Sequence, residues 1–102
     1  MARQLRIQRE NTWYHVMSRA NGVGDLYLDD TDRRRFLGLL SELPGRYRIE
    51  IHAFVLMPNH YHLLLRTRDA NLSPAMKWLN VSYTTRFNWA HGREGHVLSA
   101  PV

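Results

Sequence analysis

The chain of 102 residues contains no cysteine. Disulfides and thiolate metal sites are therefore excluded. Long apolar runs are also missing. A secretory signal needs an apolar core of about 7–15 residues, and a membrane helix needs about 20. Neither is expected, and the reading is a cytoplasmic protein without a membrane partner. There is no GxGxxG, and the glycine-containing turn Ala20-Asn21-Gly22-Val23-Gly24-Asp25 lacks the Lys-Ser/Thr of a phosphate loop. No repeat, low-complexity segment or splitting linker is visible. Acidic residues are the minority, with 9 Asp and Glu against 14 Lys and Arg, for a net charge of +5.

The apolar fraction of 44% and charged fraction of 23% suit a soluble globular protein, and the length suits one domain over residues 1–102. A basic domain attracts polyanions. Arg3, Arg6 and Arg9 open the chain, and Arg33-Arg34-Arg35 form a run. A solvated basic surface accounts for such a bias as well as nucleic acid does.

Thr12 to Arg19 reads TWYHVMSR, rich in aromatic and β-branched residues, and predicts a first strand. A helix follows, capped by Asp30 or Thr31, with Phe36, Leu37, Leu40 and Leu43 at helical spacing and Pro44-Gly45 as its stop. Arg48 to Met57, RIEIHAFVLM, predicts a strand whose apolar second half is central and covered. Pro58-Asn59 turns the chain into an antiparallel strand from His60 to Arg66. A long helix spans Asn71 to Gly92, with Ser73 as N-cap, Pro74 in the first helical position and a stripe of Leu72, Met76, Leu79, Tyr83 and Phe87. His96-Val97-Leu98 are placed to begin a further strand. The order β-α-β-β-α predicts an α+β fold, a ferredoxin-like split β-α-β antiparallel sheet with helices on one face. The open face of such a sheet is a common platform for nucleic acid.

The stretch LMPNHYHLLL carries the chemistry. Residues two apart on a strand point to the same side, so His60 and His62 project together and Tyr61 projects away. Two neighbouring imidazoles are a plausible pair of ligands for a divalent metal; a plain polar strand face is the alternative. His15, Met17 and Arg19 likewise share one face, and Arg19 suits either a phosphate contact or an ion pair.

The succession HVMSR, DDTDRRRFLGLL, IEIHAFVLMPNHYHLLL and SYTTRFNWAHGREGHV resembles the REP-associated tyrosine transposases, of the HUH class of single-strand DNA transposases. The resemblance runs from about residue 10 to residue 98, and its most specific piece is AFVLMPNHYHLLL. It implies that His60 and His62 hold Mg²⁺ or Mn²⁺, although imidazole itself favours softer ions. It implies metal-assisted cleavage and transfer of single-stranded or hairpin DNA through a phosphotyrosine, with His15, Arg19 and Arg86 contacting DNA.

The nucleophile is the open question. Of Tyr14, Tyr27, Tyr47, Tyr61 and Tyr83, only Tyr83 sits on a long helix, as the family's nucleophile does. It also falls on that helix's apolar stripe, where a core role is the alternative. Relatives carry the nucleophile in a later motif of the type Tyr-Ile-His-Leu-Asn-Pro, and no such motif follows Leu98 here. The expectation is a family domain incomplete at its C-terminus, lacking the last strand and the catalytic-tyrosine helix. Its uncovered sheet edge would favour self-association as a homodimer. Three readings follow: a strand-cleaving transposase domain, a non-catalytic DNA-binding module, and an RNA-binding ferredoxin-like domain, for which the aromatic RNP signature is missing. Trp13, Trp78 and Trp89 are candidates to stack bases, with core packing the alternative for Trp78 and Trp89.

Overall fold

The computed structural model describes residues 8–21, 24–95 and 97–98. Arg3, Arg6, Gly22 and His96 from the sequence reading lie outside the described residues. The elements run β1 (Thr12–Arg19), α1 (Asp30–Leu40), α2 (Leu43–Tyr47), β2 (Ile49–Met57), β3 (His60–Thr67) and α3 (Leu72–His91). The sheet order is β1-β3-β2, with β3 antiparallel to both neighbours. The central strand thus comes last in sequence, which is the split β-α-β arrangement.

Alternation along β3 explains the layers. Tyr61, Leu63, Leu65 and Thr67 are buried beneath the helices, while His60, His62, Leu64 and Arg66 take the other side. Val16 and Ser18 of β1 join the buried face opposite Leu63 and Tyr61. From the helices come Phe36, Leu39, Leu79, Tyr83 and Phe87. Phe36 sits between Tyr61 and Tyr83, at ring-centroid distances of 4.8 and 5.5 Å. Aromatic contacts of this kind add about 0.5–1.5 kcal/mol beyond the area they bury.

Several details depart from the sequence reading. Asp29 is the N-cap of α1, with an extended backbone and a side chain that accepts from the Asp32 N–H at 2.8 Å. Asp30 and Thr31 lie already inside the helix. Pro44 does not stop α1. It opens the separate helix α2, where its missing N–H costs nothing. Leu37 is 37% exposed and Leu39 takes its expected place in the core. Asn71, not Ser73, precedes α3, and the Ser73 N–H instead donates to the Gln8 side chain at 2.9 Å. Gly92 ends α3 in the left-handed conformation, φ 61°.

The largest departure concerns β2. It is an edge strand, not a central one, because β3 inserts between it and β1. Its alternation is also broken. Ile51 pairs with Leu65 but Ala53 pairs with Leu64, so His52 forms a bulge. Ile49 and Ile51 point toward the helices, whereas Val55 and Met57, opposite His62 and His60, point to the open side. Phe54 is 48% exposed and Val55 51% exposed.

Among the described residues, one bridge stands where a fourth strand was expected. Ala20 pairs with Leu98, and the Asn21 N–H donates to the Val97 carbonyl at 2.7 Å, beside β1. Trp78 packs partly against the core, under the guanidinium of Arg46 at 4.7 Å. Trp89 is 89% exposed, contrary to the core reading. No helix among the described residues is long and apolar enough to cross a membrane.

Candidate nucleic-acid and metal site

Directly paired residues in neighbouring strands share a face. The ladder therefore assembles the open face row by row. Arg19, His60 and Met57 form one row; Met17, His62 and Val55 the next; His15, Leu64 and Ala53 the third; Trp13, Arg66 and Glu50 the last. His15, Arg19, Trp13, Leu64, Val55 and Met57 are exposed, and His60 and His62 half-buried.

Three histidines meet at one end of this face. The His60 and His62 rings are 4.9 Å apart, edge to face. The His15 and His62 rings are nearly parallel with centroids 5.1 Å apart, and His15 Nε2 lies 3.0 Å from His62 Nδ1. His60 Nδ1 lies 2.7 Å from Asn59 Oδ1. Partial loss of water in this cluster, followed by the neighbouring His60, His15 and Arg19, holds the His62 imidazole below the usual histidine range. A neutral ring keeps a lone pair for a metal. Two half-exposed imidazoles, each with a ring nitrogen outside these contacts, fit a divalent ion whose remaining positions are open to water or a phosphate.

The other end is ionic and aromatic. His52, pushed out by the bulge, contacts Trp13 at 4.3 Å between ring centroids and Glu50 at 3.2 Å. The His52 hydrogen bond, with Arg68 and Arg66 beside it, holds the Glu50 carboxyl below its ordinary range. Arg68 also pairs directly with Glu50.

The remaining predicted residues do not join this face. Arg86 is exposed on α3, in the helical layer. Tyr83 is fully buried, and its hydroxyl donates to the Leu26 carbonyl at 2.5 Å. Burial, then the Asp32 carboxylate, pushes its phenol well above the usual tyrosine range. The other four tyrosines are also turned away. Tyr61 donates to Asn80 Oδ1 at 2.6 Å in the core, Tyr27 is buried, and Tyr47 packs on Trp78. Tyr14 shares the helix side with Leu65, and its hydroxyl accepts from the Arg9 N–H.

Asp29, Asp32 and His91 form a second cluster, with one ligand atom each within 4.8 Å. The sequence reading did not single it out, because Asp29 and His91 lie on different elements. Its bonds are already made. Asp32 accepts from the Leu28 N–H at 2.9 Å, from Arg35 at 2.9 Å and from His91 at 2.8 Å. The buried carboxylate ties the start of α1 to the end of α3, and a cation there would displace Arg35. The sequence reading also passed over Asn59, which contacts His60. It lies inside the motif that drew attention, but as a turn former.

The family model described as "Transposase IS200 like" matches residues 8–97. A solved structure described as a REP-associated tyrosine transposase bound to a REP hairpin shares the fold, with a TM-score of 0.72 and 18% identity. The similarity covers 97% of this chain and 58% of that one, so the chain spans little more than half of its length. No curated protein matches the chain.

Proposed function

Since this chain belongs to the IS200-like transposase family, we propose that it forms the part of such a transposase that lays single-stranded or hairpin DNA across an open sheet and presents two metal-binding histidines to a phosphate. The observation that carries the reading is the gathering of His15, Arg19, His60 and His62 at one end of an exposed face on which no tyrosine lies.

The residues divide the work by chemistry. Arg19, beside His60, offers a guanidinium fork to a phosphate. Leu64, Val55 and Met57 give bases an apolar surface, and Trp13, half exposed, offers a stacking plane. Arg86, on the helical layer, is a contact for a strand that wraps around the edge. His60 and His62 are the protein ligands of Mg²⁺ or Mn²⁺. When bound, such a cation supplies Lewis-acid polarisation of a phosphate oxygen.

Cleavage through a phosphotyrosine needs a tyrosine oxygen that bonds to phosphorus while the bond to the 3′ oxygen breaks and that oxygen leaves as a hydroxyl. We assign this oxygen to a segment other than the five tyrosines of this chain, and Tyr83 to the core. On this reading the chain by itself binds DNA without cutting it. Self-association through the β1 edge, where among the described residues only the Ala20–Leu98 bridge stands in place of a further strand, belongs to the same reading and is checked by light scattering.

The test combines anisotropy and adduct formation on hairpin oligonucleotides with single-stranded flanks, in Mn²⁺. The expected result is binding that weakens steeply with salt and no covalent protein–DNA product. A covalent product abolished by Tyr83→Phe would overturn the assignment of the nucleophile. Affinity unchanged between low and high salt would overturn the DNA reading.

A further inference from the structure

A histidine binds a metal through one ring nitrogen, and the hydrogen bond at the other nitrogen decides which one is free. Both histidines of the pair have that second nitrogen occupied by a side chain. His60 Nδ1 lies 2.7 Å from Asn59 Oδ1. An amide oxygen only accepts, so Nδ1 is the donor and Nε2 keeps its lone pair. His62 Nδ1 lies 3.0 Å from His15 Nε2. Two neutral imidazoles bond only when one donates and the other accepts, so one proton serves the pair.

Asn59 and His15 are well placed for this work. The Asn59 carbonyl accepts from the Ala20 N–H at 2.7 Å, which pins the β2–β3 turn against the end of β1. The side chain beside it therefore starts from a fixed backbone. His15 projects from β1 opposite Leu64, two positions along β3 from His62. Its ring lies parallel to the His62 ring, with planes 4° apart, and the in-plane contact between the two nitrogens restricts rotation of that ring. Neither residue needs to touch a metal to do this.

We propose that Asn59 and His15 are positioning residues that hold His60 and His62 as Nδ1–H tautomers, so that both rings present Nε2 lone pairs toward one side of the open face. The inference rests on the proposed metal role of the two histidines and adds who orients them. It also gives His15 a task distinct from contacting DNA. Sequence spacing alone offers nothing comparable, since His15 and His62 are 47 residues apart.

The tautomers are read directly in the metal-free chain, from long-range ¹⁵N–¹H correlations of the imidazole rings. The expected spectra show His60 and His62 protonated at Nδ1 at neutral pH. Asn59→Ala is expected to return His60 to the Nε2–H form that free histidine prefers, and His15→Leu to do the same for His62. Asn59→Asp and His15→Gln keep an acceptor oxygen at each place and should restore the Nδ1–H form. In parallel, Mn²⁺ titration of each variant should show affinity about 10–100-fold weaker for Asn59→Ala and His15→Leu, with recovery in the conservative pair. An Nε2–H tautomer on either ring of the unaltered chain would overturn the inference, as would tautomers indifferent to both substitutions. Should the tautomers follow the expectation while Mn²⁺ fails to bind the unaltered chain, the metal reading falls and the positioning stands.

Discussion

His15 Nε2 and His62 Nδ1 lie 3.0 Å apart across the β1–β3 ladder, with their rings within 4° of parallel. One contact thus links the conspicuous motif of the chain to a residue from its first strand. It makes the exposed end of the sheet a three-histidine cluster beside a guanidinium, on the face opposite to every tyrosine.

His60→Ala and His62→Ala should each weaken Mn²⁺ binding at least about tenfold. The fold should hold, because both side chains lie on the open face rather than in the core. Calorimetric titration and far-ultraviolet circular dichroism check the two halves of this statement. Unchanged Mn²⁺ affinity in both variants would remove the metal reading.

Asp32→Ala should behave in the opposite way. It removes a buried carboxylate that serves Leu28, Arg35 and His91, so a loss of about 3 kcal/mol of stability is expected. At a temperature where the variant is folded, Mn²⁺ affinity should stay within twofold. A variant that is stable but no longer binds the ion would move the metal site to the Asp32 cluster.

Tyr83→Phe deletes the donor to the Leu26 carbonyl and leaves a buried acceptor alone. The expected cost is about 1–3 kcal/mol, read from urea midpoints at constant slope. Affinity for hairpin DNA should not change. Impaired DNA binding in a variant of full stability would contradict the core role.

Alkali should unfold the chain cooperatively. Burial, aided by Tyr61 beside Tyr27 and by Asp32 beside Tyr83, raises the phenols of Tyr27, Tyr61 and Tyr83 above the ordinary value of 10. The unfolded chain therefore releases these protons first. The stability they contribute is intact below about pH 10 and is lost as pH rises beyond it. Tyrosinate absorbance from these three should appear together with loss of helical circular dichroism. Ionisation of Tyr83 in the intact fold, seen as a difference from Tyr83→Phe, would contradict the buried assignment.

Arg19→Ala should weaken binding to single-stranded DNA of any sequence by a similar factor. It should also reduce the slope of log affinity against log salt by about 0.7, the value for one phosphate contact. An unchanged slope would return Arg19 to a structural role.

The sequence by itself determined the strands, the long helices and the shared face of His60 and His62. These follow from local rules that two or four residues are enough to express. Alternation in HYHLLLRT sends His60 and His62 one way and Tyr61 the other, and Gly92 ends α3 where its left-handed backbone is tolerated. The match of HVMSR and NHYHLLL to one family was legible for the same reason, since each is contiguous. What tertiary structure alone decided is non-local. β3 became the central strand, which left the apolar end of β2 on an exposed edge, and no local pattern in β2 encodes that neighbour. The bulge at His52 swapped the faces of Val55 and Met57 because it answers to the β3 register. Asp32 and His91 met, as did His15 and His62, because two packed layers brought distant segments within hydrogen-bond reach. The fate of Tyr83 belongs to the same class. Its helical stripe marked an apolar environment, but only the Leu26 carbonyl waiting above its hydroxyl made it a partner in the core.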